Sequence, residues 1–383
     1  MRTSFGPWTT GMTMSSPQRL STFWKRRLNM LLATSRTAPG LSRRAVLGIV
    51  AGGILASLLP TLRNAPVQAE PQQGQADAKT KGRIYVSCTL RYKPEGKDEE
   101  ETHHGMIIAV DPDTGKWQKI TDKGYNVRVS PDRQTLVFAR DHEIWNCDTG
   151  GTNNPGKISD QVGGGRPIWS PDGKYLVATK QENLDKDNEK DRKTPAWRDE
   201  TWRIDADGSN AVKLPIPDTD SVEDSSPDAQ WFVTCSDRHP PYGHGYQLYL
   251  MKTDGTQQLR LTQGGLNCYA RFSPDGRKIV YTHQTAKEGN SIWVVDVDGK
   301  NAHQIIKEVG LASPNNAFWS PDGKQLAVTL FDWELNDKGE KFSSAAKDAN
   351  YRIEIMDADG KNRRELKLAD AKFLFIGALG DWR

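Results

Sequence analysis

Three features of the 383-residue chain predict an all-β fold, a six-bladed β-propeller. A Ser-Pro-Asp turn recurs five times, a second turn rich in Asp and Gly follows each copy, and the last residues supply the one strand that the first blade lacks. The repeat stands at Ser130, Ser170, Ser226, Ser273 and Ser320, at spacings of 40, 56, 47 and 47 residues. Three copies are nearly the same phrase: Ile168-Trp169-Ser170-Pro171-Asp172-Gly173-Lys174, Arg271-Phe272-Ser273-Pro274-Asp275-Gly276-Arg277 and Phe318-Trp319-Ser320-Pro321-Asp322-Gly323-Lys324. Each reads as strand, tight turn, strand. Pro fixes φ at the first corner, Asp bonds back to the local backbone, and Gly takes the positive φ that a Cβ resists.

The second turn lies at Asp148-Thr149-Gly150, Asp205-Ala206-Asp207-Gly208, Thr253-Asp254-Gly255, Asp296-Val297-Asp298-Gly299 and Asp357-Ala358-Asp359-Gly360, so each unit holds four strands. Five units run from about 125 to 368. Ahead of them, 84–90, 106–110 and 117–120 read as second, third and fourth strands without a first. Behind them, Phe373-Leu374-Phe375-Ile376 leads to Trp382, which falls where Trp169 and Trp319 fall in their own blades. The two ends are expected to share a sixth blade, closing the ring and removing its open edges.

The leader differs in kind. Residues 1–69 contain nine of the 52 Lys and Arg and none of the 49 Asp and Glu, which leaves 43 basic residues against 49 acidic ones, a net of −6, for the remainder. A body of that charge lacks the cationic surface that displaces counterions from phosphates, so no nucleic-acid partner is expected. Arg43-Arg44 precede an apolar run, 45–59, whose 15 residues fall short of the roughly 20 needed to span a bilayer. Small residues ending at Ala69 follow. This is the order of a signal peptide cut after Ala69. The paired arginines resemble the twin-arginine export signal, with Val46 where an aromatic is usual and Gly48 where Lys is usual. The alternatives are an organellar transit peptide, an uncleaved anchor, which is the one route by which a membrane enters, and a start at Met14 or Met30. Residues 70–82 contain no large apolar side chain and read as a flexible tether.

Taken together, the aromatic-Ser-Pro-Asp-Gly-Lys repeats of 83–383 resemble the TolB-type six-bladed propellers. That resemblance implies an exported, periplasmic protein that binds other proteins and is no enzyme. The α/β domain that precedes the propeller in that family has no counterpart in the thirteen residues of the tether, so what that domain does is not implied here.

In an up-and-down blade, both recurring turns lie on one face of the ring, and the other connections lie on the opposite face. The opposite loops, 93–105, 140–142, 180–198, 237–245, 284–290 and 332–350, are unequal, as binding loops on a rigid scaffold usually are. His103, His104, His142, His239, His244 and His283 are expected in or beside them, with the aromatics Tyr92, Trp197, Tyr242 and Trp333; His303 is not. Tyr92, His142, Trp197, Tyr242 and Trp333 are the candidate binding face. The bland alternative is that histidine simply follows polar loops. The innermost strands place Arg128, Ile168, Asp224, Arg271, Phe318 and Asp381 at one register position, with Arg166 nearby. The charged members either pair across blades or face water and a ligand.

Catalytic signatures are sparse. There is no Gly-x-Ser-x-Gly elbow, Gly163-Gly164-Gly165-Arg166 fits neither nucleotide fingerprint, and the Asp-x-Asp-Gly turns lack the remaining ligands of a calcium loop. No cofactor is implied. His239 and His244, on one loop, with His283 from the next blade, are the best metal candidates, an arrangement similar in architecture to the metal-holding propeller lyases of uronate sugars. Cys88, Cys147, Cys235 and Cys268 have no framework spacing and read as buried thiols, with Cys235 and Cys268 the pair to test. The reading is a monomeric, exported scaffold that binds a protein or an envelope glycan through its loop face. The alternative is a metal-assisted polysaccharide lyase or hydrolase using loop histidines and carboxylates.

Overall fold

The computed structural model describes residues 82–93, 99–159, 162–163, 165–183, 197–238, 246–285, 287–335, 341–342 and 351–383. The predicted export signal, with Arg43, Arg44 and Ala69, lies outside them, as do residues 70–81 of the tether, Tyr242, His239 and His244.

Every regular element among the described residues is a strand. The chain opens with β1 (Ile84–Tyr92), β2 (Glu101–Val110) and β3 (Trp117–Thr121). Blade 2 follows as β4 (Tyr125–Val129), β5 (Thr135–Arg140), β6 (Glu143–Asp148) and β7 (Gly156–Lys157). Blade 3 is β8 (Ile168–Trp169), β9 (Tyr175–Asn183), β10 (Trp197–Asp205) and β11 (Val212–Lys213), and blade 4 is β12 (Asp220–Ser225), β13 (Trp231–Ser236), β14 (Gln247–Lys252) and β15 (Leu259–Arg260). Blade 5 is β16 (Leu266–Phe272), β17 (Lys278–Thr285), β18 (Gly289–Asp296) and β19 (His303–Lys307). Blade 6 is β20 (Ala312–Trp319), β21 (Gln325–Asp332), β24 (Tyr351–Asp357) and β25 (Arg364–Glu365), interrupted by a small hairpin, β22 (Glu334–Leu335) with β23 (Lys341–Phe342). The last strand, β26 (Ala371–Trp382), returns to pair antiparallel with β1 from Tyr92↔Ala371 to Ile84↔Trp382, giving blade 1 the order β26-β1-β2-β3.

One hydrogen-bond motif builds the turn between first and second strands. Each repeat Ser hydroxyl donates to the Asp two residues on, at 2.5–2.8 Å, and accepts the backbone N–H five residues on, at 2.9–3.0 Å. The corner residue has positive φ in all five copies. Gly173, Gly276 and Gly323 hold it without strain, but Arg133 and Ala229 take the same left-handed conformation, at φ 63° and 58°.

The second turn locks one blade to the one before it. A Cβ on Gly208 would lie 1.8 Å from the carbonyl oxygen of Ile158 in blade 2, and one on Gly115 equally close to that of Lys367 in blade 6. Glycine is needed there because a neighbouring backbone occupies the space of a side chain. Between blades the cores are apolar and continuous. Ile84, Val86, Met106, Ile108 and Trp382 of blade 1 pack with Phe318, Ala327, Ile353 and Ile355 of blade 6 in one cluster.

Two expectations change. The third strand of blade 1 starts at Glu101 and not near Met106, with Gly105 at φ 69° beside a register shift between Cys88 and Leu90. A bulge thus carries β2 past the glycine, and His103 and His104 lie in a strand, paired with β1, not in a loop. The segment 332–350, expected as one loop, holds the β22–β23 hairpin.

Removing residues 373–383 takes away most of β26, so the truncated chain is expected to lose its single cooperative melt in circular dichroism; an unchanged transition would contradict closure by this strand. Ala229→Gly should raise stability by about 0.5–1 kcal/mol in urea unfolding, because relief of left-handed strain of roughly 1–2 kcal/mol exceeds glycine's entropic cost of roughly 0.5–1 kcal/mol.

Candidate functional site

The channel is lined by the innermost strand of each blade, and all of those strands but β8 are bulged. Register shifts fall between Tyr125 and Arg128, Val222 and Asp224, and Cys268 and Arg271, with Asn126 and Tyr269 at φ 56° and 55° inside two of them. A bulge inserts one residue and re-aims the side chains that follow it. Arg128, Asp224 and Arg271 each follow one and line a cavity of about 230 Å³ with Asp381, Ile168 and Phe318. Its rim includes Pro131, Pro171, Pro227 and Pro274 of the repeat turns, so the cavity lies at the turn end of the channel.

From blade 1 to blade 6 the register position reads Asp381, Arg128, Ile168, Asp224, Arg271, Phe318. The order Asp, Arg, apolar occurs twice, placing like residues opposite each other in the ring. Both aspartates do the same work. Asp381 Oδ2 accepts the backbone N–H of Val129 in the next blade, and Asp224 Oδ2 accepts that of Phe272 in the next blade, each at 2.9 Å. The arginines converge instead. Arg128 Nη2 and Arg271 Nη1 donate to one carbonyl oxygen, that of Glu223, at 3.0 and 2.8 Å, and Arg128 Nη1 stands 3.7 Å from Asp224 Oδ1. Burial first, then the Arg128 charge, weakens Arg271's hold on its proton, and Asp224 opposes them. A guanidinium nonetheless stays charged in a protein.

Arg166, the fifth predicted channel residue, is outside this cavity. Its Nη1 pairs with Glu223 Oε1 at 2.6 Å, and its guanidinium lies 5.8 Å from the centre of the Tyr269 ring. Glu223 chiefly raises the Arg166 pKa, over the opposing effect of burial. Glu223, at 2% exposure, is the functional-type residue that sequence reading missed. Its only signal was an acidic pair, Glu223-Asp224, in a strand too short to show which member faces in.

The loop-face candidates separate. Tyr92 packs edge-on against Trp117 at 5.1 Å and beside His103 at 5.5 Å, and His103 Nε2 meets Glu101 Oε2 at 3.1 Å. His142 is exposed at φ 63° after Asp141 at 51°, the two central residues of a tight β5–β6 hairpin, so its backbone makes the turn. Trp197 opens β10. Trp333 Nε1 donates to Glu308 Oε2 at 2.9 Å, and its ring begins a row with Phe331, Tyr351 and Phe375 at centre separations of 4.8, 5.7 and 5.2 Å. His283 sits in β17, with Nδ1 2.8 Å from Asn267 Oδ1, its ring edge-on to Trp293, and burial lowering its pKa. Among the described residues no group of three or more His, Cys, Asp or Glu is arranged to hold a metal ion. The four cysteines are free thiols, and Cys235 Sγ donates to the Asn267 carbonyl at 3.3 Å; burial pushes the Cys147 thiol up to about 12 and raises the others further.

The aspartate staples give a test. Asp224→Asn and Asp381→Asn each remove a carboxylate that holds the next blade, so each is expected to cost about 1–3 kcal/mol in denaturant unfolding. Wild-type stability in both variants would show that the staples do not hold the ring.

No protein-family model matches the chain. Over 139 residues it is 31% identical to an uncharacterized protein of Agrobacterium fabrum, covering 36% of this chain and 42% of that protein. Over 77 residues it is 35% identical to the Tol-Pal system protein TolB of Geobacter sulfurreducens, covering 20% of this chain and 17% of that protein. The matched stretches thus span less than half the length of these curated relatives. Among solved structures, a putative TolB from Agrobacterium tumefaciens aligns with a TM-score of 0.55 at 20% identity over 76% of this chain and 91% of its own. TolB from Acinetobacter baumannii aligns at 0.53 and 18% identity over 79% and 66%. With four-stranded blades, Ser-Pro-Asp turns and a first blade completed by the last strand, the chain is a six-bladed β-propeller that shares its fold with these TolB structures.

Proposed function

We propose that this chain is an exported scaffold that docks a partner protein on its loop face. One observation carries the reading. Of the seven large hydrophobic side chains exposed among the described residues, five sit at the loop end of the ring: Tyr125 36%, Tyr246 43%, Val309 65%, Leu311 37% and Phe375 49%. Tyr125 and Tyr246 begin or precede strands that start there, Val309 and Leu311 lie in the connection from blade 5 to blade 6, and Phe375 ends the aromatic row from Trp333. Aromatic and aliphatic side chains gathered at one end of a rigid frame are the anchors that protein interfaces use. The likeness to a Tol-Pal system protein and the reading of 1–69 as an export signal support a protein partner outside the cytoplasm.

The double variant Phe375→Asp with Val309→Asp is expected to reduce capture of proteins from an envelope fraction at least ten-fold at an unchanged melting temperature. Lys174→Glu on the turn face serves as the control. Equal capture by the double variant overturns the reading, and retention of polysaccharide in place of protein assigns the face to a glycan.

A further inference from the structure

We propose that the turn end of the channel binds a carboxylate anion between Arg128 and Arg271. The cavity of about 230 Å³ is smaller than the roughly 300–1,000 Å³ of pockets for drug-sized ligands, so it suits a small organic acid or one inserted acidic side chain. Arg128 and Arg271 line it from blades 2 and 5, on opposite sides of the ring, and are 6% and 4% exposed.

Each guanidinium carries five N–H donors, and the surrounding protein offers few acceptors. Arg128 has the Glu223 carbonyl and a distant Asp224 Oδ1; Arg271 has the same carbonyl and, at 3.5 Å, that of Ala270. Arg271 Nη2 is buried with no protein hydrogen-bond partner. The aspartates answer this demand only in part, because Asp224 Oδ1 stands 3.7 Å from Arg128 Nη1, beyond hydrogen-bond distance, and their other oxygens are committed to backbone donors. Asp224 Oδ2 and Asp381 Oδ2 accept backbone N–H groups, and Asp381 Oδ1 accepts that of Trp382 at 3.0 Å and stands 3.6 Å from Arg383 Nε. The two buried guanidiniums therefore share the Glu223 carbonyl as their one close acceptor, although the carboxylates of Asp224 and Asp381 also line the cavity. A planar carboxylate presents two oxygens to two planar donor forks, the geometry that arginine recognises best. Ile168 and Phe318 complete the wall with apolar surface, where a short alkyl group would pack.

The test uses the full chain. Thermal melts in sodium acetate against sodium chloride of equal ionic strength read a free acid. A short Glu-containing peptide with blocked termini, against its Gln counterpart, reads an inserted side chain. Acetate is expected to raise the melting temperature saturably, and Arg128→Lys, which keeps the charge and loses the fork, should weaken acetate binding at least ten-fold. Tighter binding of the Glu peptide than of acetate identifies a polypeptide ligand; the reverse identifies a free acid. Identical melts in acetate and chloride, with no difference between the two peptides, overturn the proposal, as does undiminished acetate binding in Arg128→Lys. The wild-type response decides the matter even where Arg128→Lys fails to fold. The loop-face double variant should leave the acetate response intact, so the two readings fail separately.

Discussion

Antiparallel pairing of β26 with β1 joins residues nearly three hundred positions apart, and the ring depends on it. A propeller blade buries its faces only against two neighbours, so blade 1 without its innermost strand would leave β1 as an open edge and uncover the apolar cluster that it shares with blade 6. The same pairing brings Asp381 to the channel, where its carboxylate accepts the Val129 N–H of blade 2. Closure and the inner lining are therefore one construction.

Two kinds of contact hold the blades, and both leave the channel polar. Glycines of the outer turns let the backbone of one blade approach the next, while aspartates of the inner strands reach across to backbone donors. The first needs the absence of a side chain and the second a short anionic one, which is why a repeat with so regular a turn tolerates a varied lining. The variation has order: acid, base, apolar, twice around the ring. With the acids bound mainly to backbone N–H groups and Asp224 Oδ1 facing Arg128 only at 3.7 Å, the bases are left short of close acceptors.

The two ends of the ring consequently present different chemistry. The loop end gathers aromatic and aliphatic side chains at unequal connections, whereas the turn end is a short, uniform set of Ser-Pro-Asp corners around two buried guanidiniums. Apolar anchors suit a broad partner surface, and a small charged cavity suits a single group.

The blade number, the turn chemistry and the origin of blade 1's inner strand were legible in the chain, because each rests on residues a few positions apart repeated at a near-constant interval. Arg128, Asp224, Arg271 and Asp381 could also be set at one register position of the inner strands. What those side chains touch could not. Arg128 meets Glu223 from 95 residues away, and Asp381 meets Val129 from 252, through bulges that no alternation of polar and apolar residues reveals. His103 and His104 were misplaced for the same reason, since the bulge at Gly105 continues a strand where a glycine reads as its end. Local sequence thus determined the turns and their count, whereas contacts between blades were decided by tertiary structure, because a bulge redirects a side chain without leaving a period in the sequence.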